Sequence, residues 1–217
     1  SEAESLDIPV YVDQTRHISL NPFTELIRAA LLAVRENYSY ASVFHLLRSG
    51  LTDIETDDID RAENYILATG IRGRKNYEKP FETLFRGVSD EDRQAAERVR
   101  LGLMELLAPM NEVTEGGGSI KVGDMISAVR KLCDCLHARE KLEEYVACFE
   151  EAGDAERAME YSQIYDILNH QFDNMDALIG EQTVTIQEFA ELYEDALSEI
   201  RVGVIPPKSD VVMAGDL

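Results

Sequence analysis

Four cationic side chains and one aromatic ring fall within eight residues of an otherwise acidic chain. They are Arg72, Arg74, Lys75, Tyr77 and Lys79. Because cations neutralise phosphates and an aromatic ring can stack on an unpaired base, this spacing predicts a segment that binds DNA. The alternative interpretation is a solvated loop whose cations offset neighbouring carboxylates, since exposed ion pairs usually contribute little.

Motifs that would support catalysis or metal binding are missing from the sequence. Residues 70–75 resemble a phosphate-binding loop only superficially, because the glycine spacing is wrong and no hydroxyl residue follows the lysine. The carboxylates in residues 53–60 lack the turn glycine and closing glutamate of a calcium loop. We therefore predict no catalytic residue, metal or cofactor in this chain. Metal-assisted hydrolysis by its many carboxylates is the least favoured alternative.

The charge balance limits what the chain can bind by itself. It carries 42 acidic and 21 basic residues, for a formal net charge of −21. Such an excess repels phosphate over most of the surface, so it argues against free-standing, non-specific nucleic-acid binding. A local basic patch within a larger basic assembly stays compatible with it.

Cysteine usage and hydropathy indicate a cytoplasmic protein without a membrane span. Cys133, Cys135 and Cys148 are an odd set in a long chain, which suits a reducing compartment. Cys133 and Cys135 are two apart on a predicted helix, so they face different sides and make a poor metal pair. No apolar run approaches the ~20 residues of a membrane helix, and the acidic start does not resemble a signal peptide.

Periodic apolar residues predict an all-α fold of several helices. Asn21 and Pro22 are typical of a helix start, Gly50 is placed to end a second helix, and Thr56 and Gly70 are placed to cap and close a third. Two capping boxes, at Ser89 with Asp92 and at Thr185 with Glu188, predict two later helix starts. The glycine run in residues 115–119 predicts a loop tip or a seam between two helical subdomains.

The two ends of the sequence are β-prone. Residues 8–12 and 211–214 predict a short strand near each terminus, and Pro206 and Pro207 stop helix formation before the second. We therefore predict one helical module over residues 1–217, in the form of an insertion domain whose terminal strands belong to a larger sheet. A two-stranded ribbon that ties the ends together is the alternative.

Several strings resemble the AddB component of the AddAB ATP-dependent helicase–nuclease. The more specific ones are Glu-Asn-Tyr at 63–65 with Gly-Ile-Arg-Gly at 70–73, and Ile-Pro-Pro at 205–207 with Gly-Asp at 215–216. The similarity covers the whole chain and is densest in its first third and at its C-terminus. It implies that the chain is the helical insertion of the second helicase-like domain of AddB.

The resemblance also implies a context in double-strand break repair and recombination. The parent would be an ATP-dependent helicase and exonuclease, a hydrolase that uses ATP, magnesium and an iron–sulphur cluster. It would pair with an AddA-like helicase–nuclease subunit, and its helicase-like part would contact single-stranded DNA and read the Chi signal. This chain holds no ATP-binding, nuclease or four-cysteine motif, so no catalytic residue is carried over.

Two functions follow for the chain itself. The first is a non-catalytic DNA-binding and scaffolding module. The second is a protein–protein interaction module that docks the partner helicase subunit, or the rest of the parent chain, without touching DNA.

Overall fold

Helices make up most of the structure, a computed structural model that describes residues 10–12, 15–17, 20–84, 87–199, 201–203 and 212–214. The predicted all-α class is confirmed. The helices within these residues are α1 (Pro22–Arg35), α2 (Tyr40–Leu47), α3 (Thr56–Thr69), α4 (Arg74–Tyr77), α5 (Asp90–Val113), α6 (Val122–Cys135), α7 (Ala138–Glu151), α8 (Ala155–Ile179) and α9 (Ile186–Glu199).

Short strands pair near the two ends and once in the middle of the chain. They are β1 (Val10–Val12), β2 (Thr15–His17), β3 (Ile120–Lys121), β4 (Thr183–Val184), β5 (Arg201–Gly203) and β6 (Val212–Ala214). β1 pairs with β6 in parallel, whereas β2 pairs with β5, and β3 with β4, in antiparallel fashion. The predicted terminal strands are confirmed over 10–12 and 212–214, and residues 8, 9 and 211 lie outside the described residues.

Side-chain caps start the helices at most of the predicted places. The Asn21 side chain accepts from the Phe23 backbone N–H at 2.9 Å, with Pro22 as the first helical residue. Ser89 and Asp92 form a capping box, and the Glu188 carboxylate accepts from the Thr185 backbone N–H at 2.7 Å. These reciprocal bonds satisfy amide groups that the first helical turn leaves without partners.

Two of the predicted helix boundaries differ from those in the structure. Glu55, rather than Thr56, is the N-cap of α3, and its side chain makes no capping bond. The two acids in the first turn, Asp57 and Asp58, favour the helix start electrostatically instead. α2 ends with Arg48 as its C-cap, so Gly50 shapes the following turn. Gly70 closes α3 in the left-handed conformation, as predicted.

The core is a continuous cluster with buried residues from α1 to α9. α3 lies along α5, α5 along α6, and α7 along α8. Buried residues on both sides of the glycine run belong to the same cluster, which includes Leu107 before it and Val122 after it. Burial of these apolar faces fixes the positions of the connections between helices.

Candidate nucleic-acid interface

The predicted DNA-binding residues lie in the connection between α3 and α5. Gly70 reverses the chain after α3, and Gly73, with φ at +87°, directs it into the single turn of α4. The Asn76 side chain donates to the Arg72 carbonyl at 2.7 Å, which closes this turn locally. The structure therefore presents residues 72–79 as one compact turn.

Backbone hydrogen bonds fix the start of this turn to the loop between α1 and α2. The Gly73 N–H donates to the Tyr38 carbonyl at 3.2 Å, and the Arg74 N–H donates to the Asn37 Oδ1 atom at 3.2 Å. The Arg74 guanidinium donates to the Asn111 carbonyl in α5 at 3.2 Å and lies in ion-pair range of Glu78. Arg74 thus ties the turn to the loop between α1 and α2 and to α5, and its cation is partly engaged.

The end of the turn is held by a partly buried ion pair on α5. Arg100 donates to the Tyr77 carbonyl at 2.9 Å and pairs with Glu97, whose carboxylate also accepts from the Phe81 N–H at 2.8 Å. Hydrogen bonding to Arg100 lowers the pKa of the Glu97 carboxyl group. Because Arg100 is almost fully buried, this pair holds residues 77–81 rigidly against the core.

The structure contradicts the stacking role predicted for Tyr77. Its side chain is 0% exposed, and its ring lies 5.5 Å from the Tyr38 ring and 5.7 Å from the Phe81 ring, centroid to centroid. Burial raises the pKa of Tyr77. An unpaired base cannot reach a ring enclosed in this way. The apolar spacing of Tyr77 and Phe81, four residues apart, could have indicated a core contact, but the flanking cations masked it.

The exposed cations of the turn differ from the other cations of the described residues. Among the Lys and Arg side chains that the structure describes, those without an ion pair are Arg72, Lys75, Lys79 and Lys131. Three of these four therefore lie within one eight-residue segment. We call Arg72, Lys75 and Lys79 the cationic turn.

Ion pairs occupy most of the other described cations. Arg98 pairs with Asp58 at 2.6 Å, and hydrogen bonding to Arg98 lowers the pKa of that carboxyl group. Arg48 pairs with Glu63 at 2.6 Å and likewise lowers the pKa of that carboxyl group. These guanidinium groups are already partnered, so a phosphate would have to displace a carboxylate to reach them.

The three cysteines of the described residues differ in burial. Cys133 is buried, which raises the pKa of its thiol to about 12, while Cys135 and Cys148 are exposed, and all three are free thiols. No group of three or more His, Cys, Asp or Glu side chains among the described residues is placed to hold a metal ion. No helix in the described part of the chain is both long and apolar enough to cross a membrane.

Fold and site together define a helical module with an acidic surface, one exposed cationic turn, and paired strands near its ends. A comparison with models of known protein families finds no match. Curated relatives, however, align along its length. The chain is 35% identical over 219 positions to a protein of Lachnoclostridium phytofermentans, 33% over 220 to one of Clostridium kluyveri and 32% over 217 to one of Acetivibrio thermocellus.

All three relatives are named as the AddB component of an ATP-dependent helicase/deoxyribonuclease. The alignments cover 97–100% of this chain but 19% of each relative, so the chain spans about a fifth of the length of these proteins. The chain is therefore homologous to one segment of the AddB component of ATP-dependent helicase/deoxyribonucleases. The resemblance to AddB in the sequence is thereby confirmed.

Proposed function

We propose that this module is a non-catalytic scaffold that contacts single-stranded DNA through the cationic turn. The observation that carries the proposal is the position of the unpaired cations. Three of the four that the structure describes, Arg72, Lys75 and Lys79, lie together on one rigidly held turn. A phosphate that binds there gains attraction without displacing a carboxylate partner.

The same charge distribution explains why binding by the module alone should be weak. The net charge of −21 repels phosphates over most of the surface. Three phosphate contacts on a single strand give a slope of log affinity against log salt of about −2, at about −0.7 per contact. A fourfold rise in salt should then weaken this contribution about 16-fold.

The paired strands support the scaffolding part of the proposal. Parallel strands such as β1 and β6 need a long crossover between them, and they occur almost only in sheets covered on both faces. The helical body would be that crossover, and the antiparallel pair of β2 and β5 would form its neck. We propose that β1 and β6 belong to a larger sheet of the complete AddB protein.

The complete AddB protein provides the activity to which this module would contribute. The names of the relatives describe an ATP-dependent helicase and deoxyribonuclease. We infer that the complete protein acts with an AddA-like partner on double-strand breaks in recombination. ATP, magnesium and an iron–sulphur cluster would be bound outside this segment. In that complex, the module would hold a DNA-facing turn at a fixed position.

The proposal is tested by removing the cationic turn from the complete AddB protein in complex with its partner. The variant Arg72→Ala with Lys75→Ala and Lys79→Ala should bind single-stranded DNA more weakly. Its slope of log affinity against log salt should be about 2 units less negative. The matched control is Lys131→Ala, which removes the fourth unpaired cation from α6 and should change neither quantity. Unchanged affinity and salt slope in the triple variant would exclude contact between DNA and this turn.

A cleft on the hairpin of α7 and α8 favours protein docking as a second candidate function. The cleft has a volume of about 420 Å³ and is lined largely by apolar atoms of Val146, Ala158 and Met159. Near the end of α8, Leu178 is 81% exposed. Docking would be favoured over DNA binding if the module retains the AddA-like partner at high salt and in the triple variant. The Met159→Asp substitution should then abolish this retention.

A further inference from the structure

We propose that a polar pocket beside the cationic turn receives one unpaired nucleobase of the bound strand. This inference rests on the proposed DNA contact and names what the module recognises beyond phosphate. The pocket lies between the end of α1, the end of α5 and the glycine run, and Arg74 is part of its wall. Since Arg74 directly precedes Lys75, a strand bound at the turn passes close to the pocket.

The walls of the pocket suit a flat heterocycle with a polar edge. Val34, Ile120 and Ile186 supply apolar surface, while Asn37, Asn111 and Thr114 supply polar groups. The volume is about 210 Å³. At about 30 Å³ for each water molecule, this is the space of about seven waters, which is enough for a ring system. Neutral bases carry hydrogen-bonding edges of this kind around an apolar face.

The strongest evidence for a ligand in this pocket is an unsatisfied hydrogen-bonding atom of Asn111. The residue is 4% exposed, and its Nδ2 atom donates to the Tyr38 hydroxyl at 2.6 Å, but its buried Oδ1 atom has no hydrogen-bond partner. If the Asn111 amide is flipped, the Tyr38 hydroxyl can donate to Oδ1 instead, and Nδ2 is then the atom without a hydrogen-bond partner. In either orientation Asn111, a residue that lines the pocket, keeps one buried hydrogen-bonding atom without a partner, an acceptor or a donor.

Arg74 contributes a second unused hydrogen-bonding atom to the same wall. Its Nε atom lies 2.9 Å from a Glu78 carboxylate oxygen but makes no hydrogen bond in that geometry. Arg74 and Asn111 are linked by the bond from the Arg74 guanidinium to the Asn111 carbonyl. The Arg74 Nε donor and the unpaired Asn111 side-chain atom are groups of the kind that pair with the donors and acceptors of a base edge.

The backbone at the pocket is held in a rare conformation. Asn37 and Tyr38 are consecutive non-glycine residues with φ at +49° and +57°. Such residues persist where the surroundings impose them, and they cluster at ligand sites. Here the Asn37 carboxamide accepts from the Arg74 N–H, and the Tyr38 N–H donates to the Ala33 carbonyl at 2.8 Å. The strained loop thus fixes the same residues that line the pocket.

Charge around the pocket favours a base over a phosphate as its occupant. Glu112 and Glu115 flank the lining residue Thr114 along the chain, and Glu78 lies against Arg74. These carboxylates repel a phosphate inside the pocket but not a neutral ring. The phosphates of the strand would instead lie on Arg72, Lys75 and Lys79, with one base turned into the pocket.

The test compares two single strands of equal length on the complete AddB protein with its partner. One strand carries bases, and the other carries abasic tetrahydrofuran residues on the same phosphate backbone. For Asn111→Ala, we expect the preference for the base-bearing strand to fall about tenfold, the loss typical of one base contact, with abasic affinity unchanged. Asn169→Ala, a matched change on α8, should leave the preference intact.

Asn37→Gly provides a second variant if Asn111→Ala does not fold. Glycine accepts the positive φ at this position, so the variant removes a polar group of the pocket without backbone strain. A preference unchanged in whichever of these two variants folds would overturn the base pocket, while the triple variant of the cationic turn still reports on the phosphate contact. If neither strand binds the unsubstituted protein, the proposed function itself fails, and the base pocket fails with it.

Discussion

Removal of the Tyr77 hydroxyl group should stabilise the protein. This hydroxyl is buried without a hydrogen-bond partner, a situation that costs about 1–3 kcal/mol. Tyr77→Phe removes the unsatisfied group and keeps the ring contacts with Tyr38 and Phe81. We expect a gain of about 1 kcal/mol in the free energy of unfolding. For a chain of this size, that corresponds to a melting temperature about 2–4 °C higher.

Tyr38→Phe is the matched control, because the neighbouring hydroxyl is satisfied. The Tyr38 hydroxyl accepts from the Asn111 amide, so its loss leaves the buried Asn111 donor without a partner. We expect this variant to be less stable by about 1–3 kcal/mol. Urea unfolding followed by circular dichroism measures both variants. If Tyr77→Phe lowers stability as much as Tyr38→Phe, the Tyr77 hydroxyl has a partner, and the account of the buried turn is wrong.

Three further results are expected. Asn21→Ala should lower the free energy of unfolding by about 1–2 kcal/mol in urea titrations, because it removes the α1 cap and a 2.7 Å bond to Glu160; an unchanged midpoint would contradict the cap. At pH 8, a maleimide should label Cys135 and Cys148 quickly and Cys133 only on unfolding, since burial raises the pKa of the Cys133 thiol to about 12; three equally fast thiols by mass spectrometry would contradict this. Because the folded pKa of Glu97 lies below its ordinary value of 4.5, its pairing stabilises the protein above that pH and is lost as the pH falls through the folded pKa. Between pH 5 and about pH 2, the range of depressed carboxyl pKa values, the free energy of unfolding should therefore fall less in Glu97→Gln than in the unsubstituted protein.

Local signals in the sequence were sufficient to locate most of the helices. Caps such as Asn21, Ser89 and Thr185 act within a few residues, so their patterns survive in any tertiary context. The prediction at Thr56 failed because the residue before it, Glu55, takes the cap position without a side-chain bond. Boundaries of this kind depend on one residue of backbone geometry, which sequence patterns do not determine.

The pairing of the strands depended on contacts that are distant in sequence. Residues 10–12 and 212–214 were predictable as strands, but not their parallel alignment with each other. β2 has the polar sequence Thr-Arg-His and carries no strand signal, and β3 and β4 have two residues each. Partner choice in such short strands is decided by the packing of the helices between them.

Only part of the candidate site could be predicted from the sequence. The cluster of cations at residues 72–79 is visible directly in the sequence, but which of them form ion pairs is not. Arg74 lines a pocket and donates to the Asn111 carbonyl, whereas Tyr77 packs against the rings of Tyr38 and Phe81. The residues Tyr38 and Asn111 are 73 positions apart, and no local pattern links them.

The most direct test of the DNA contact is a crosslink from the cationic turn. Cys135→Ser and Cys148→Ser remove the exposed thiols of this segment, and Lys75→Cys or Lys131→Cys then adds one exposed thiol to the segment, within the complete AddB protein and its partner. A single strand with a thiol-activated tether reports which position lies beside DNA. We expect a disulfide-linked product at position 75 and almost none at position 131. Equal yields, or a product at position 131 alone, would contradict this expectation.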